Sequence, residues 1–359
     1  MSRAEGDVAA RPTLASVARV AGVSASTASL AFSGTGPVSD ETRARVLAAA
    51  DELGYAGPDP RARSLRRGRS GIVGAVLEST LSTAFRDPIN VAMLDGIADV
   101  TGPADNSLLL LTETAGERSR LLDAPVDAVV LFGCSTRLDQ SVSIMRRRGI
   151  PVVSIEAPPT EGVLDIAEDN VGSSRLLAQH LHDLGHRRVA VVALELGPGR
   201  SSGDGDDELT DARVARGTSW PTLERLRGTR EVFPGVGGLA TRGSWTSEGH
   251  RAGLRLLDVP EAERPTAIVA QSDLLASGVI AAADDLGLSV PGDLSVVGYD
   301  GVRLDDPRAA DLTTVVQPAV EKGRAAGRAV LALLAGDPVE GTTFTSVFRP
   351  GSTTGPPAR

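Results

Sequence analysis

From Ser70 onward the chain alternates short β-branched runs with longer stretches of helical period, and this alternation constrains the fold most. Apolar runs at residues 71–77, 107–111, 128–132, 152–155, 188–193, 267–270 and 294–297 read as strands buried on both faces. Residues 89–100, 171–184, 248–257 and 274–286 between them read as helices. Repeated strand-helix units imply parallel sheets covered by helices, and with 359 residues there is length for two such doubly wound α/β lobes plus a small extra domain.

That extra domain lies at the N-terminus. Residues 13–34 read TLASVARVAGVSASTASLAFSG. Thr13 is placed to cap a first helix with Leu14, Val17, Ala18 and Ala21 on its apolar side, and Ser24 to cap a second that carries Thr27, Ala28 and Ala31 inward. Gly22 supplies the permissive backbone of a tight turn, and Ala18 is small enough for close approach. Ser39 announces a third helix, with Asp40 and Glu41 favoured in its first turn and Val46, Leu47, Ala50 and Leu53 as its buried stripe. Such an all-α helix-turn-helix unit can place a helix in a DNA groove.

Charge supports the same division. Residues 1–70 hold 10 Arg against 7 Asp plus Glu, or +3, within a chain of net charge −9. DNA contact is therefore expected at the N-terminus alone. Residues 58–70 read PDPRARSLRRGRS, five arginines around one apolar residue, Leu65. Pro58 and Pro60 favour an extended approach, and residues 61–67 have the composition of a short helix that forms when DNA and a second chain support it.

Three runs, TLASVARVAGVSASTASLAFSG, VSDETRARVLAAADELGY and ARSLRRGRSGIVGAV, resemble the headpiece and hinge of the lactose-repressor (LacI/GalR) family of bacterial transcription regulators. Further on, EDNVGSSRLLAQHLHDLGHRRVAVV, RPTAIVAQSDLLASGVIAAADDLGLSVPGDLSVVGYDG and LTTVVQP resemble the family's effector-binding core, which is similar to periplasmic sugar-binding proteins. The resemblance implies a headpiece over 1–57, a hinge over 58–70, a two-lobed core over 71–353 and a disordered tail over 354–359. It implies a first lobe of about 71–168 with 299–324 and a second of 169–298 with 325–353.

The family pattern also implies site residues. For DNA these are Thr13, Ser24, Ala25, Ser26, Thr27, Ser29, Leu30 and Arg63, with Leu65 as a wedge in the minor groove of a palindromic operator. For a small sugar-like effector between the lobes they are Asp87, Asn90, Ser135, Asp169, Arg225, Trp245 and Asp273. Asp273 also reads as a helix cap before Leu274, and Arg225 as a solvated helix arginine. Ile89 and Asn90 stand where many members carry two aromatics, which favours a hydroxyl-rich ligand over a purine. The segment between Tyr55 and Leu65 is one residue longer than the usual pattern, with Gly57 the extra residue.

The expected protein is thus an allosteric, homodimeric repressor without cofactor or catalytic role, confined to the cytoplasm and associated with the nucleoid. A sugar-collecting binding protein or an enzyme on the same lobes are the alternatives. The first 30 residues lack a secretory pattern, and no apolar run approaches the roughly 20 residues that span a bilayer. One cysteine, Cys134, permits no internal disulfide and reads as a small buried residue. His180, His182 and His186 suggest a metal cluster, yet only His182 and His186 share a helix face, so a surface role at a helix end is expected. Gly235, Gly237 and Ala240 mimic a dinucleotide fingerprint without a preceding strand and read as a loop. Residues 197–222, rich in Gly, Ser and Asp, read as a solvated insertion near the cleft; the run Asp204, Asp206, Asp207 and Glu208 lacks the spacing of a calcium loop.

Overall fold

The computed structural model describes residues 12–34, 36–57, 68–77, 80–113, 118–133, 138–197 and 207–358. The chain divides into two compact units, Met1–Ser70 and Gly71–Arg359.

In the first unit three helices form among the described residues: α1 (Leu14–Val20), α2 (Ala25–Ser33) and α3 (Asp40–Leu53). Each begins where a hydroxyl accepts an orphan amide. Thr13 and Ser16 bond reciprocally, Ser24 Oγ accepts from Thr27 N at 3.1 Å, and Ser39 Oγ accepts from Thr42 N at 3.3 Å. Gly22 turns at φ +67° and lets α1 and α2 meet at 103°. Val17, Ala18, Ala28, Ala31, Val46, Ala49 and Ala50 make the core. Leu47, expected inside, is 42% exposed, because the buried face of α3 runs through Val46, Ala49 and Ala50.

Among its described residues the second unit contains twelve strands. They are β1 (Ile72–Leu77), β2 (Ser107–Thr112), β3 (Ala128–Phe132), β4 (Val152–Ile155), β5 (Leu164–Glu168), β6 (Val189–Ala193), β7 (Gly238–Ala240), β8 (Ala267–Ala270), β9 (Ser295–Val297), β10 (Thr314–Val316), β11 (Thr342–Phe344) and β12 (Val347–Arg349). Its longer helices are α4 (Pro88–Thr101), α5 (Leu138–Arg148), α6 (Asn170–Asp183), α7 (Trp220–Val232), α8 (Thr246–Leu257), α9 (Asp273–Asp285) and α10 (Ala319–Ala335). One sheet has the order β11-β5-β4-β3-β1-β2 and the other β7-β6-β8-β9, all parallel. Every strand expected from the apolar runs is present. Bridges from Val297 to Thr313 and from Asp300 to Val316 bring β10 beside the second sheet, and β12 pairs antiparallel to β10.

The sheets define two lobes with a boundary that differs from expectation. Residues 299–316 belong with the second lobe, whereas α10 and β11, which span 319–344, belong with the first. Packing decides this: β11 extends the first sheet at β5, and α10 lies on α4. A Cβ on Gly96 would stand 2.1 Å from Val320 O, and one on Gly323 2.1 Å from Met93 O, so the two backbones touch. The chain consequently crosses between lobes after Glu168, near Gln317 and near Thr345.

Three further expectations are corrected. Residues 354–358 are docked on the second lobe: Thr354 bonds His180 at 2.9 Å, and Gly355 donates to Ser295 Oγ at 3.0 Å. His186 is 1% exposed and bonds Thr266, Ser295 and the Gly355 carbonyl, so it anchors that tail from inside. Gly238–Ala240 is strand β7 rather than a loop, and the described end of the insertion packs against it. Glu208 bridges Leu239, Leu209 joins the core, and the buried Asp207 pairs with Arg251 and Arg255. Asp204, Asp206 and Cys134 lie outside the described residues. Among the described residues no single helix is long and apolar enough to cross a membrane, and no cluster of three metal-ligating side chains occurs.

Candidate functional site: a helix-turn-helix face and an interlobe cleft

On the headpiece, α2 turns Ala28 and Ala31 inward, so helical geometry sends its other side outward. Ala25 and Ser26 are exposed, Thr27 and Ser29 half-buried, and Leu30 is 37% exposed. The Ser24 hydroxyl is shared with Ser26 at 2.7 Å and Thr27 at 2.8 Å. Thr13 is exposed at the start of α1. This face offers short hydroxyls and one apolar side chain, suited to water-mediated contacts and thymine methyls.

Between the lobes lies a cleft of about 540 Å³, counted out to its solvent mouth. Its polar lining comes from both sides: Asp87, Asn90 and Glu156 from the first lobe, Arg225 and Asp300 from the second, and Gln317 from a segment that crosses between them. Arg225 is 4% exposed despite its charge. Its Nε donates to Asn170 Oδ1 at 2.8 Å and Nη1 to Gln271 O at 2.6 Å, Asp300 Oδ1 is 3.5 Å away, and its Cζ lies 3.7 Å from the Tyr299 ring centroid. Asp300 sits at φ +116° and accepts from Gln317 Nε2 at 2.6 Å.

Behind this lining is Lys322, fully buried. Its Nζ donates to Glu156 Oε1 at 2.5 Å and to Gln317 Oε1, and lies 3.2 Å from Glu168 Oε2. Asn170 Nδ2 donates to the other Glu156 oxygen at 2.8 Å, which ties α6 of the second lobe to the end of β4 in the first. Burial raises the Glu156 carboxyl, but Lys322, then Arg225 and the Asn170 bond, outweigh it and hold the group at about 2. Burial pushes Asp87 up, against its amide bonds to Ile89 and Asn90. Burial also raises Asp300 well above the carboxylate range, Arg225 opposing it and the neighbouring Asp273 and Asp87 adding to it.

Residues 13–57 match the bacterial regulatory proteins of the lacI family, and residues 178–353 the periplasmic binding protein-like domain. The HTH-type transcriptional regulator IpsA of Corynebacterium glutamicum is 34% identical over 96% of this chain and 98% of its own. The chain belongs to the LacI family. A solved complex of the transcriptional regulator CelR with cellobiose is 26% identical, with a TM-score of 0.62 over 96% of this chain and 100% of that one. The lac repressor dimer bound to operator, at 22% identity, shares the fold with a TM-score of 0.73 over 96% of this chain and 99% of that one. Like its relatives, this LacI-family protein is a DNA-binding transcriptional regulator of the cytoplasm and not an enzyme.

The fold of the regulator brings Asp87, Asn90 and Arg225 together from distant stretches of sequence. Arg225 is not a solvated helix arginine. Asp87 caps α4, its Oδ1 accepting from Ile89 N at 2.9 Å. Asp169 instead caps α6 and faces a separate groove with Thr345 and Ser346. Trp245 precedes α8 and is half-buried, while its neighbour Ser244 reaches the cleft. Asp273 is 0% exposed behind the cleft-lining Ser272, and Ser272, not Asp273, caps α9. The carboxyl of Asp273 accepts from Thr314 Oγ1 at 2.6 Å and Val302 N at 2.8 Å, holding β10 and the loop after Asp300. Ser135, Arg63 and Leu65 lie outside the described residues. Sequence reasoning missed Glu156, Asp300, Gln317 and Lys322. Asp300 stands in the quoted run VVGYDG, but no signal singled it out from the neighbouring acids.

Proposed function

We propose that this regulator is a repressor which binds a palindromic operator as a homodimer, with a small sugar-like effector in the interlobe cleft altering that affinity. One observation carries the reading: Arg225, buried yet bordering an open cleft, sits among polar groups supplied by both lobes. A molecule that bridges those groups favours one lobe arrangement over others, which is what effector control requires. On this reading Asp87, Asn90, Ser135 and Arg225 contact the effector, with Glu156, Asp300 and Gln317. Asp169, Trp245 and Asp273 act from beside the cleft. Ala25, Ser26, Thr27, Ser29 and Leu30 face base edges, Thr13 and Ser24 the backbone, Arg63 phosphate, and Leu65 the minor groove. A protein so engaged is associated with the nucleoid. The sugar in the CelR complex supports the class of effector in this reading.

Calorimetric titration of the full chain with sugars, polyols and nucleosides tests the cleft. Asn90→Ala is expected to weaken the binding compound by about tenfold or more, the loss of a hydrogen bond to a buried ligand, and to leave unliganded operator affinity unchanged. Undiminished ligand affinity in that variant contradicts the assignment.

A further inference from the structure

The three passages of chain between the lobes, after Glu168, near Gln317 and near Thr345, converge on one buried ammonium. Lys322 Nζ donates to Gln317 Oε1 at the second crossover and lies 3.2 Å from Glu168 Oε2 at the first. The other Glu168 oxygen accepts from Ser346 Oγ at 2.5 Å, which adds the third. Lys322 donates also to Glu156 Oε1 at 2.5 Å, at the end of β4.

From Lys322 two routes lead into the second lobe and meet again. Glu156 Oε2 accepts from Asn170 Nδ2 at 2.8 Å, and Asn170 Oδ1 accepts from Arg225 Nε at 2.8 Å. On the other side Gln317 Nε2 donates to Asp300 Oδ1 at 2.6 Å, and that oxygen lies 3.5 Å from Arg225 Nη1. Lys322, Glu156, Asn170, Arg225, Asp300 and Gln317 thus form a closed ring through both lobes, each at most 8% exposed. Among the described residues three non-glycines have positive φ, and two of them are in this ring, Glu156 at +58° from the first lobe and Asp300 at +116° from the second. Backbone kept where side chains rarely allow it is backbone that its surroundings over-determine.

Apolar layers can slide over one another, whereas a closed set of directional bonds among buried groups admits few geometries. We infer that Lys322 is a positioning residue, which pins the three crossovers together and so fixes the angle between the lobes. Without the ammonium, Glu156 and Glu168 are left buried and unpaired with a cation at this point, and the crossovers are no longer joined. Arg225 and Asp300 line the cleft as well as closing the ring, so a molecule that takes their hydrogen bonds opens it opposite Lys322. That consequence alone rests on the reading of the cleft as the effector site.

The test is the interlobe distance distribution, read by electron paramagnetic resonance on the full chain without ligand. Cys134→Ser removes the native thiol, and spin labels are placed at Arg147→Cys on α5 of the first lobe and Ala262→Cys after α8 of the second, both exposed positions. Labelled chain is diluted into excess unlabelled chain, so that distances within one protomer are read. The ring predicts one narrow population in the otherwise native chain. Lys322→Met is expected to broaden or split it, and Ser346→Ala, which frees only the third crossover, to broaden it less. His186→Ala, which loosens the tail within the second lobe, is expected to lower the melting temperature and leave the distances narrow. A broad population in the native chain, one as narrow in Lys322→Met as in the native chain, or one broadened as much by His186→Ala, overturns the inference. Should Lys322→Met not fold, Ser346→Ala and Glu168→Gln carry the test, and narrow distances in both overturn it. The cleft assignment is judged separately, by the calorimetry of Asn90→Ala.

Discussion

At the scale of single residues, Lys322 is the most consequential side chain. It is the only lysine in the chain, and it is fully buried. A compact ammonium hydrogen-bonds Glu156 and Gln317 and still lies 3.2 Å from the Glu168 carboxylate, an arrangement the planar fork of arginine does not match. Lys322→Met removes the charge and strands two buried carboxylates. A loss of about 3–5 kcal/mol in urea unfolding is expected, and unchanged stability would contradict the network. Protonation of the buried carboxyls gives opposite pH effects. Glu156, held at about 2, contributes stability that is present above its unfolded value near 4.5 and lost as pH falls through 2. Burial pushes Asp273 up to about 7, so its folded form keeps a proton that the unfolded chain releases near 3.8, and stability falls as pH rises between them. Asp273→Asn should flatten the decline between pH 5 and 7, where one full proton is worth about 1.4 kcal/mol per pH unit; an unaltered slope would assign the titration elsewhere. Neither residue's role was legible in the sequence, since Lys322 meets its partners only after segments around 156, 168 and 317 converge.

At the scale of elements, pairs of helices meet through glycine. Besides Gly96 and Gly323 between α4 and α10, a Cβ on Gly249 would stand 2.2 Å from Leu275 O and one on Gly278 2.1 Å from Thr246 O, between α8 and α9. Backbone oxygen cannot yield as a flexible side chain can. Gly323→Ala is therefore expected to force α4 and α10 apart and cost about 3 kcal/mol in thermal or urea unfolding, and a neutral effect would show that the helices are not held this closely. Strands β1, β3 and β8 were legible because each is an unbroken apolar run buried on both faces. Strands β5 and β7 were not: LDIAE is short and broken by two carboxylates, neither an unbroken apolar run nor a strict alternation, and GLA carries no β-branched residue. Their identity comes from their neighbours. Helix starts were legible to the residue in the headpiece, where Thr13, Ser24 and Ser39 each cap as the sequence indicates.

At the scale of the molecule, the headpiece and the two-lobed unit were both legible, the first from its caps and the second from its alternation. The lobe boundary was not. A strand-helix pattern reads the same whichever sheet receives it, and the packing of α10 on α4 and on β3, β4 and β5 assigns residues 319–335 to the first lobe. On the proposed reading the cleft acts on DNA through residues 58–70 and Leu65 is the minor-groove wedge, so Leu65→Ala is expected to weaken operator binding in a gel-shift titration while leaving ligand affinity nearly intact; full operator affinity would remove the wedge role. The coupling itself is the central claim. It is tested most directly by fluorescence anisotropy of the full chain on an inverted-repeat duplex selected from a random pool, with and without a saturating neutral sugar or polyol that binds the cleft. The account predicts tighter binding to that duplex than to random DNA and a ligand-dependent shift in its Kd of about 5- to 150-fold; equal binding to both DNAs, or a Kd indifferent to the ligand, would contradict it.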